Sequence, residues 1–578
     1  MVDNKIEEQL DEMKVNRFSI DENHILSMTK AFARDWLLDQ ASVAQDFVYT
    51  LRTRANELAH IHSLPDELLL RVFQILVDDD NALLLKDRCY AIVTLTAVCR
   101  KWRAMGLDSP LLWTDIDALN LDRAEVFLRR SGTTAAHVRL YAIYQEGAEY
   151  AARLADILSD HVEHITSLTL SARLPLLSDI LTRITFSLGA IQNLSLEAWH
   201  YTFSLHDSIT PTVFTPTITK QLDNISLYGV FLPFNSPMFV GLLTLHLGYH
   251  NPRPELAPSM DEFLAVLKNC PHLTDLRLCY AGPTVDTLRR GGTTPVVRRL
   301  ELSCLQTLSL ELEARNIALL LTHLVISEHT RVNLTCYLEE SDSVTSIIPP
   351  HSTLMVLNVC RTLRVRAVTL MHERRSAMLK YIRVEAAINS MAPPNITIDL
   401  ASADRWNENH WQAITPEVLL ALPVLFHTSP ISTLDVSCNA NDMTCDQWLE
   451  TLERFPLLTS LTLHPQLDGL FALPSCVNGL LDALCVLNHE ALHEPATICS
   501  GLRYLMLDRF VMDSEFFPNL LGCLELRSSM GIGLCAVDIL SFHWTGPGKL
   551  LIPDLGEWVY CRKNGCWCTV GTCDDSQF

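Results

Sequence analysis

No apolar run in the 578-residue chain is long enough to cross a bilayer. A spanning helix needs roughly 20 mostly apolar residues, and the best runs, Ile317 to Ile326 and Val418 to Phe426, are shorter, the second also holding Pro423. Residues Met1 to Glu12 are charged and lack the apolar stretch of a secretory signal. We therefore expect an intracellular chain, cytoplasmic or nuclear, with no membrane partner. Positive charge is also in deficit: 45 Lys and Arg face 67 Asp and Glu, for a net charge of −22. That balance repels phosphate backbones, and with no basic block anywhere it argues against a nucleic-acid partner. A P-loop, a dinucleotide fingerprint and a G-x-S-x-G elbow are all missing, so phosphate and α/β-hydrolase chemistry lack their marks.

Cysteine is plentiful, at 18, but scattered. Cys99, Cys279, Cys304 and Cys360 sit inside apolar runs, the pattern of small buried hydrophobes rather than of a disulfide framework. With 48% hydrophobic and 19% charged residues the chain is globular, and its length calls for two to four domains or one long repeat array.

Residues 20–60 read as helix, with Phe32, Trp36, Leu37, Phe47 and Leu51 recurring at three- and four-residue spacing. No heptad holds for long enough to make it a coiled coil. From Ile61 the chain reads I-H-S-L-P-D-E-L-L-L-R-V-F-Q-I-L-V. Pro65 suits a first helical turn, where its missing N–H is no loss, and Asp66 and Glu67 favour the positive end of the helix dipole. Leu64, Leu68, Leu69, Val72, Phe73 and Leu76 then make one broad apolar stripe that must pack on something. After a loop from Asp78 to Tyr90, a second apolar segment runs through Met105, with Ile92, Leu95, Val98, Cys99 and Trp102 on one face. Pro110 breaks the chain before Leu111, Leu112 and Trp113.

The order L-P-x-E-L-L, V-F, V-C-R-x-W-R, Pro, Trp, carried by Leu64, Pro65, Glu67, Leu68, Val72-Phe73, Val98-Cys99-Arg100, Trp102-Arg103, Pro110 and Trp113, resembles the F-box, as it stands before leucine-rich tails in fungal proteins. The departure is the long Asp78–Tyr90 loop. The resemblance implies a helical module that docks a Skp-family adaptor of a cullin-RING ubiquitin ligase. The adaptor-binding residues it implies are Leu64, Pro65, Leu68, Val72, Phe73, Leu76, Val98, Trp102 and Trp113. Leu69, Leu95 and Cys99 are expected in the module's own core.

From Ile165 a six-residue phrase with apolar first, fourth and sixth positions keeps returning: ITSLTL, IQNLSL from Ile191, LDNISL from Leu222, LLTLHL from Leu242, LTDLRL from Leu273, VRRLEL from Val297, LTHLVI from Leu321, LMVLNV from Leu354, LKYIRV from Leu379, ISTLDV from Ile431, LTSLTL from Leu458, LRYLML from Leu502 and LGCLEL from Leu521. Most gaps overlap the leucine-rich-repeat period or slightly exceed it. Positions four and six would point inward from a short strand, with position one turning the chain into it. Stretches such as Met260 to Leu267 and Asp446 to Leu452 supply helical returns. The asparagine of a regular repeat is mostly absent, so the coils are degenerate, and insertions fall around Asn395 to Trp411 and Leu463 to Cys499.

Two further clusters carry ligand-type side chains. His489, Glu490 and His493 satisfy H-E-x-x-H, which on a helix would set two imidazoles beside a glutamate base. Pro495 ends any such helix within a turn, and no third ligand follows at a useful spacing. Cys561, Cys566, Cys568 and Cys573 form C-x4-C-x-C-x4-C, unlike the paired C-x-x-C knuckles of structural zinc sites. We expect no metal, no cofactor and no catalytic residue.

The expected fold is an α-helical F-box module followed by an α/β leucine-rich-repeat-like solenoid of short parallel strands with helical or irregular returns. The expected parts are a helical segment over 1–59, the F-box over 60–116, a connecting helical segment over 117–163, the solenoid over 164–545 and a Cys-containing tail over 546–578. The expected function is target recognition for a Skp-cullin-F-box ubiquitin ligase, with an unknown protein held by the repeats. The alternatives are a repeat scaffold with no role in ubiquitination and, remotely, a zinc hydrolase using the H-E-x-x-H segment.

Overall fold

The computed structural model describes residues 22–77, 85–142, 147–183, 190–199, 212–213, 222–285, 299–338, 343–349, 353–372, 377–402, 410–437, 443–464, 474–488, 496–512, 514–540, 542–544, 559–563 and 566–569. It divides into two compact units, one of Met1–Tyr141 with Asp156–Leu168, the other of Ala142–Ala155 with Thr169–Phe578. Among the described residues no helix is long and apolar enough to cross a membrane.

The first unit opens with a 28-residue helix, α1 (Lys30–Glu57), which buries only Ala33. Then come α2 (Asp66–Val77), α3 (Leu85–Val98) and α4 (Arg100–Leu107). α3 starts at Leu85, inside the stretch read from sequence as loop. The second apolar segment is also two helices rather than one face. At Cys99 the backbone is extended (φ −155°, ψ 170°), and the Cys99 Sγ caps α4 by accepting from the Trp102 amide at 3.5 Å. Ile92 and Leu95 are consequently buried while Val98 is left open. The span 117–163, expected helical, carries strands as well. β1 (Asp115–Asp117) pairs in parallel with β2 (Ala136–Ala142) across the helix α5 (Leu121–Ser131), and α6 (Ala148–Asp160) follows.

The second unit is built on a long, mostly parallel sheet. After β3 (Ile165–Arg173) and the helix α7 (Leu174–Arg183) come β4 (Asn193–Trp199), β5 (Asn224–Tyr228), β6 (Thr244–Gly248), β7 (Asp275–Cys279), β8 (Thr307–Glu313) and β9 (Arg331–Leu338), each of β5 to β9 parallel to the one before. Their register lines up Leu194, Ile225, Leu245, Leu276, Leu308 and Val332 in one buried row, with Leu196, Leu227, Leu247, Leu278, Leu310 and Leu334 in the next. The first phrase positions, Ile191, Leu222, Leu242 and Leu273, are buried too. At about 2 kcal/mol per fully buried leucine, these rows are the main gain that offsets ordering so much backbone.

Beyond β9 the strand order reverses. β10 (Thr362–His372), β11 (Ala377–Ala387) and β12 (Ile396–Ser402) form an antiparallel meander whose last strand lies parallel to β9 and whose first lies parallel to β13 (Thr433–Ser437). The ladder then resumes through β14 (Ser460–His464), β15 (Tyr504–Leu507), β16 (Ala536–Ile539) and β17 (Val559–Lys563), to which β18 (Cys566–Thr569) pairs antiparallel. The returns include α8 (Met260–Lys268), α9 (Ala314–His323), α10 (His410–Leu425), α11 (Cys445–Glu453), α12 (Pro474–Cys485) and α13 (Phe516–Ser529). Ser259 with Glu262 and Thr444 with Gln447 close capping boxes on α8 and α11, which start those helices sharply.

Several phrases do not become strands of this sheet. VRRLEL and LTHLVI supply Leu300–Glu301 and Leu324–Ile326 to a separate three-stranded sheet. LMVLNV forms the 3-10 turn Met355–Val359, and LKYIRV lies in antiparallel β11. LGCLEL is helical: α13 buries Phe516, Leu520, Cys523 and Arg527 at three- and four-residue spacing, a stronger demand than the six-residue phrase within it. The stretch Asn395 to Trp411, read as an insertion, contributes the central strand β12.

Candidate protein-docking surface

α2 is apolar nearly all round, and packing decides which side is core. Leu69, Phe73 and Val77, four residues apart, are buried, Phe73 completely. The Trp102 ring of α4 lies on the Phe73 ring at 4.8 Å, and His62 approaches the Cys99 thiol at 3.8 Å. Lys101 Nζ meets Asp66 Oδ1 at 2.9 Å, tying the start of α2 to α4. α3 and α4 close tightly at Gly106, where a Cβ would come within 2.8 Å of Thr96 Cγ2. Trp113 is 1% exposed; its indole N–H donates to the Gly106 carbonyl at 2.7 Å, Phe127 meets it edge-on at 4.8 Å, and the Arg130 guanidinium covers it at 4.3 Å.

The burial sorts the nine residues singled out from the sequence into two sets. Phe73 and Trp113 belong to the module's own packing, with Trp102 half-buried beside them, so they present no free face of their own. Leu64 is half-buried and Pro65 exposed. Leu68, Val72 and Leu76 are 54%, 37% and 50% exposed and stand in one row on the opposite face of α2, with Ile75 beside them; Val98 is open on α3. Leu69 and Leu95 are in the core and Cys99 is partly buried. Ile75 carries no mark in the sequence beyond being apolar, and only the orientation of α2 exposes it. An open cleft of about 500 Å³ runs between Asp66 and Leu70 of α2 and Lys101, Met105 and Leu111. An aliphatic row beside a partly charged cleft suits an amphipathic partner helix.

In the second unit the side chains that alternate with the buried rows form a polar face. The Arg383 guanidinium grips Asp399 with two hydrogen bonds of 2.7 and 2.9 Å. Tyr337 donates to Glu311 at 2.9 Å, and Arg277 pairs with Asp275. His464 Nε2 lies 2.9 Å from Asp435 Oδ1. The hydrogen bond with Asp435 raises the His464 pKa against the opposing effect of burial. Burial works to raise the Asp435 carboxyl, but hydrogen bonds with His464 and Ser437 hold it below its ordinary value. His246 is different: burial lowers its pKa although Asp275 is 3.1 Å away. His246, Asp275, Arg277, Arg383, Asp435, Ser437 and His464 occupy third, fifth or seventh places of the phrase, the outward positions of a strand, whereas Glu311, Tyr337 and Asp399 lie on strands that none of the phrases marks.

His489, Glu490 and His493 lie outside the described residues, as does Cys573. Cys561 stands opposite Cys568 in the β17–β18 register, with Cys566 opposite Lys563; the side chains of these strands are outside the described set. Among the described residues no group of three or more His, Cys, Asp or Glu side chains is arranged to hold a metal ion.

No curated protein matches the chain. One family model does, the one described as F-box-like, and it covers residues 61–118, the stretch that holds α2, α3, α4 and Trp113. Over those residues, with their Leu-Pro helix start, their capping Cys99 and their buried tryptophan, the chain carries an F-box-like domain.

Proposed function

We propose that the protein is the target-recognition subunit of a Skp-cullin-F-box ubiquitin ligase. The F-box-like module docks a Skp-family adaptor through the Leu68, Val72 and Leu76 face of α2 and the adjoining cleft. The second unit, a degenerate leucine-rich-repeat-like solenoid, presents the polar face of its sheet to a protein target. The protein performs no bond chemistry of its own; it speeds ubiquitin transfer by holding target and ligase together. The observation that carries this reading is the F-box-like match over residues 61–118, joined to an unpaired aliphatic row on the helix that opens it. The test is co-purification of the full chain with a Skp-family adaptor. The wild-type chain is expected to retain the adaptor and a Leu68→Ala/Leu76→Ala chain to lose it. Equal recovery with both would exclude docking through this face.

A further inference from the structure

The segments that follow β6, β7 and β8 meet beyond the carboxyl ends of those strands and surround a cavity of about 180 Å³. Its apolar wall is made by Tyr249, Pro252, Pro254, Tyr280, Val285 and Leu312. An apolar cavity of about 150 Å³ holds benzene, so this one has room for a single amino-acid residue.

The wall is fixed by its own bonding. Tyr280 has left-handed backbone (φ 50°), uncommon for a bulky residue, and Gly282 stands at φ 133°, a conformation that favours glycine. Tyr280 is kept there by its amide, which donates to the Glu311 carbonyl at 2.9 Å, and by its ring, stacked on Tyr337 at 5.3 Å. The Tyr249 amide donates to the Cys279 carbonyl at 2.8 Å. Asn316 Oδ1 accepts from the Val285 amide at 3.0 Å and so ties the segment after β7 to α9. Backbone strain held in place by its surroundings in this way is typical of ligand clamps.

Charge in the cavity is mainly positive. Arg253 and Arg315 supply two guanidinium groups against the one carboxylate of Glu313, whose Oε2 lies 3.6 Å from Arg315 Nε and accepts from Asn316 Nδ2 at 3.1 Å. Glu255, 3.6 Å from Arg253 Nη1, is not part of the wall. α9 begins at Ala314, so its first turn, with Arg315 and Asn316 in the wall, adds the positive end of the helix dipole. Burial, with the Glu255 charge, pushes the Tyr249 phenol well above its ordinary pKa, so it stays neutral. In a chain of net charge −22 this is a local reversal of sign.

Apolar walls and positive charge together select the ligand. An aspartate or glutamate side chain brings a carboxylate with almost no apolar body, and an internal leucine or phenylalanine brings the body without the charge. The last residue of a polypeptide carries a carboxylate and an apolar side chain on one carbon, within the volume of one residue. We propose that this cavity captures the carboxyl-terminal residue of a target protein, its carboxylate held by Arg253, Arg315 and the first turn of α9 and its side chain by the tyrosines and prolines. The inference rests on the reading of the second unit as the part that binds the target, and it narrows the target class to proteins that end in an apolar residue.

The test exposes the full-length chain to immobilised random heptapeptide pools, each fixed at one last residue and made both as the free acid and as the amide. Free-acid pools ending in leucine, valine or phenylalanine are expected to retain the chain, and their amidated forms to retain at least about tenfold less. Arg315 is 42% exposed, so Arg315→Gln removes a guanidinium without opening the core, and Ala257→Phe fills the cavity from its wall with both arginines in place. Each should cut retention about tenfold or more at an unchanged melting temperature. Equal retention on acid and amide, wild-type retention by the two folded variants, retention only on amidated pools with internal aspartate or glutamate, or no retention on any free-acid pool would each overturn the proposal. No adaptor enters these measurements. Free-acid binding without adaptor co-purification would refute the docking reading alone, and adaptor co-purification without free-acid binding would refute this site alone.

Discussion

Replacing Leu68 and Leu76 together by alanine separates docking from folding on a single helix. The two side chains are 54% and 50% exposed, so about half of each is available to a partner. At about 25 cal/mol per Å², covering half a leucine is worth roughly 2 kcal/mol. Truncation to alanine removes most of that, about 1–2 kcal/mol per site and so roughly 30- to 1,000-fold in adaptor affinity for the pair. The chain's own stability should change by less than about 0.5 kcal/mol per site, because neither side chain fills its core. Phe73 is the contrasting position: it is fully buried against Trp102, and Phe73→Ala should cost about 3–5 kcal/mol of stability. Adaptor loss in that variant would report a damaged module rather than a missing contact. The assay is titration calorimetry against a purified Skp-family adaptor, with a thermal melt of each variant. If the double variant bound within about twofold of wild type at an unchanged melting temperature, the α2 face would not be the docking surface.

Three other substitutions probe the second unit. In Gly248→Ala the new Cβ would lie 2.4 Å from Tyr228 Cδ2, and Tyr228 is packed edge-on against His250, so overpacking should cost about 1–3 kcal/mol in a urea titration; a neutral result would mean that the ring swings aside freely. Arg527→Leu leaves three buried carbonyls without their donor and should destabilise by about 3 kcal/mol or more, with no such loss expected if water replaces the guanidinium. His464→Gln addresses pH. Folding raises the His464 pKa above its ordinary 6.5, so the pair's contribution is full below that value and fades as pH rises through the folded one; folding lowers Asp435 below 3.8, so its share is lost only in stronger acid. The gap in melting temperature between wild type and His464→Gln should therefore narrow from about pH 6 to about pH 8, and a constant gap would show that the pair does not titrate there.

The parallel ladder is legible in the sequence wherever an apolar residue three places before an alternating pair meets no competing period. Leu273, Leu276 and Leu278 show this, and all three are buried. Six residues cannot distinguish neighbours of equal merit: VRRLEL fits the phrase, yet Leu305-Gln-Thr-Leu-Ser-Leu eight residues later is the version that enters the main sheet as β8. LGCLEL fails because it lies inside a 14-residue helix whose apolar residues recur every three or four places. The β10–β12 meander has no local signature, since its strand order depends on partners more than 60 residues apart, such as Val332 and Ile396. In the F-box-like module the succession of apolar helices is readable, but Leu68 and Leu69 are identical neighbours in the sequence. Trp102 closing over Phe73 is what turns Leu69 inward and Leu68 out.

The reversed meander bears on how the chain is made. When β9 leaves the ribosome it finds β8 already waiting on one side, but its partner on the other side is β12, whose first paired residue, Ile396, is still unsynthesised. At roughly 5–20 residues per second the nascent sheet waits several seconds with an unsatisfied edge. Its amides and carbonyls are then open to any other extended chain nearby. Ribosome stalling within residues 339–395 should therefore be the point in synthesis at which this protein is most prone to aggregate and most dependent on chaperones.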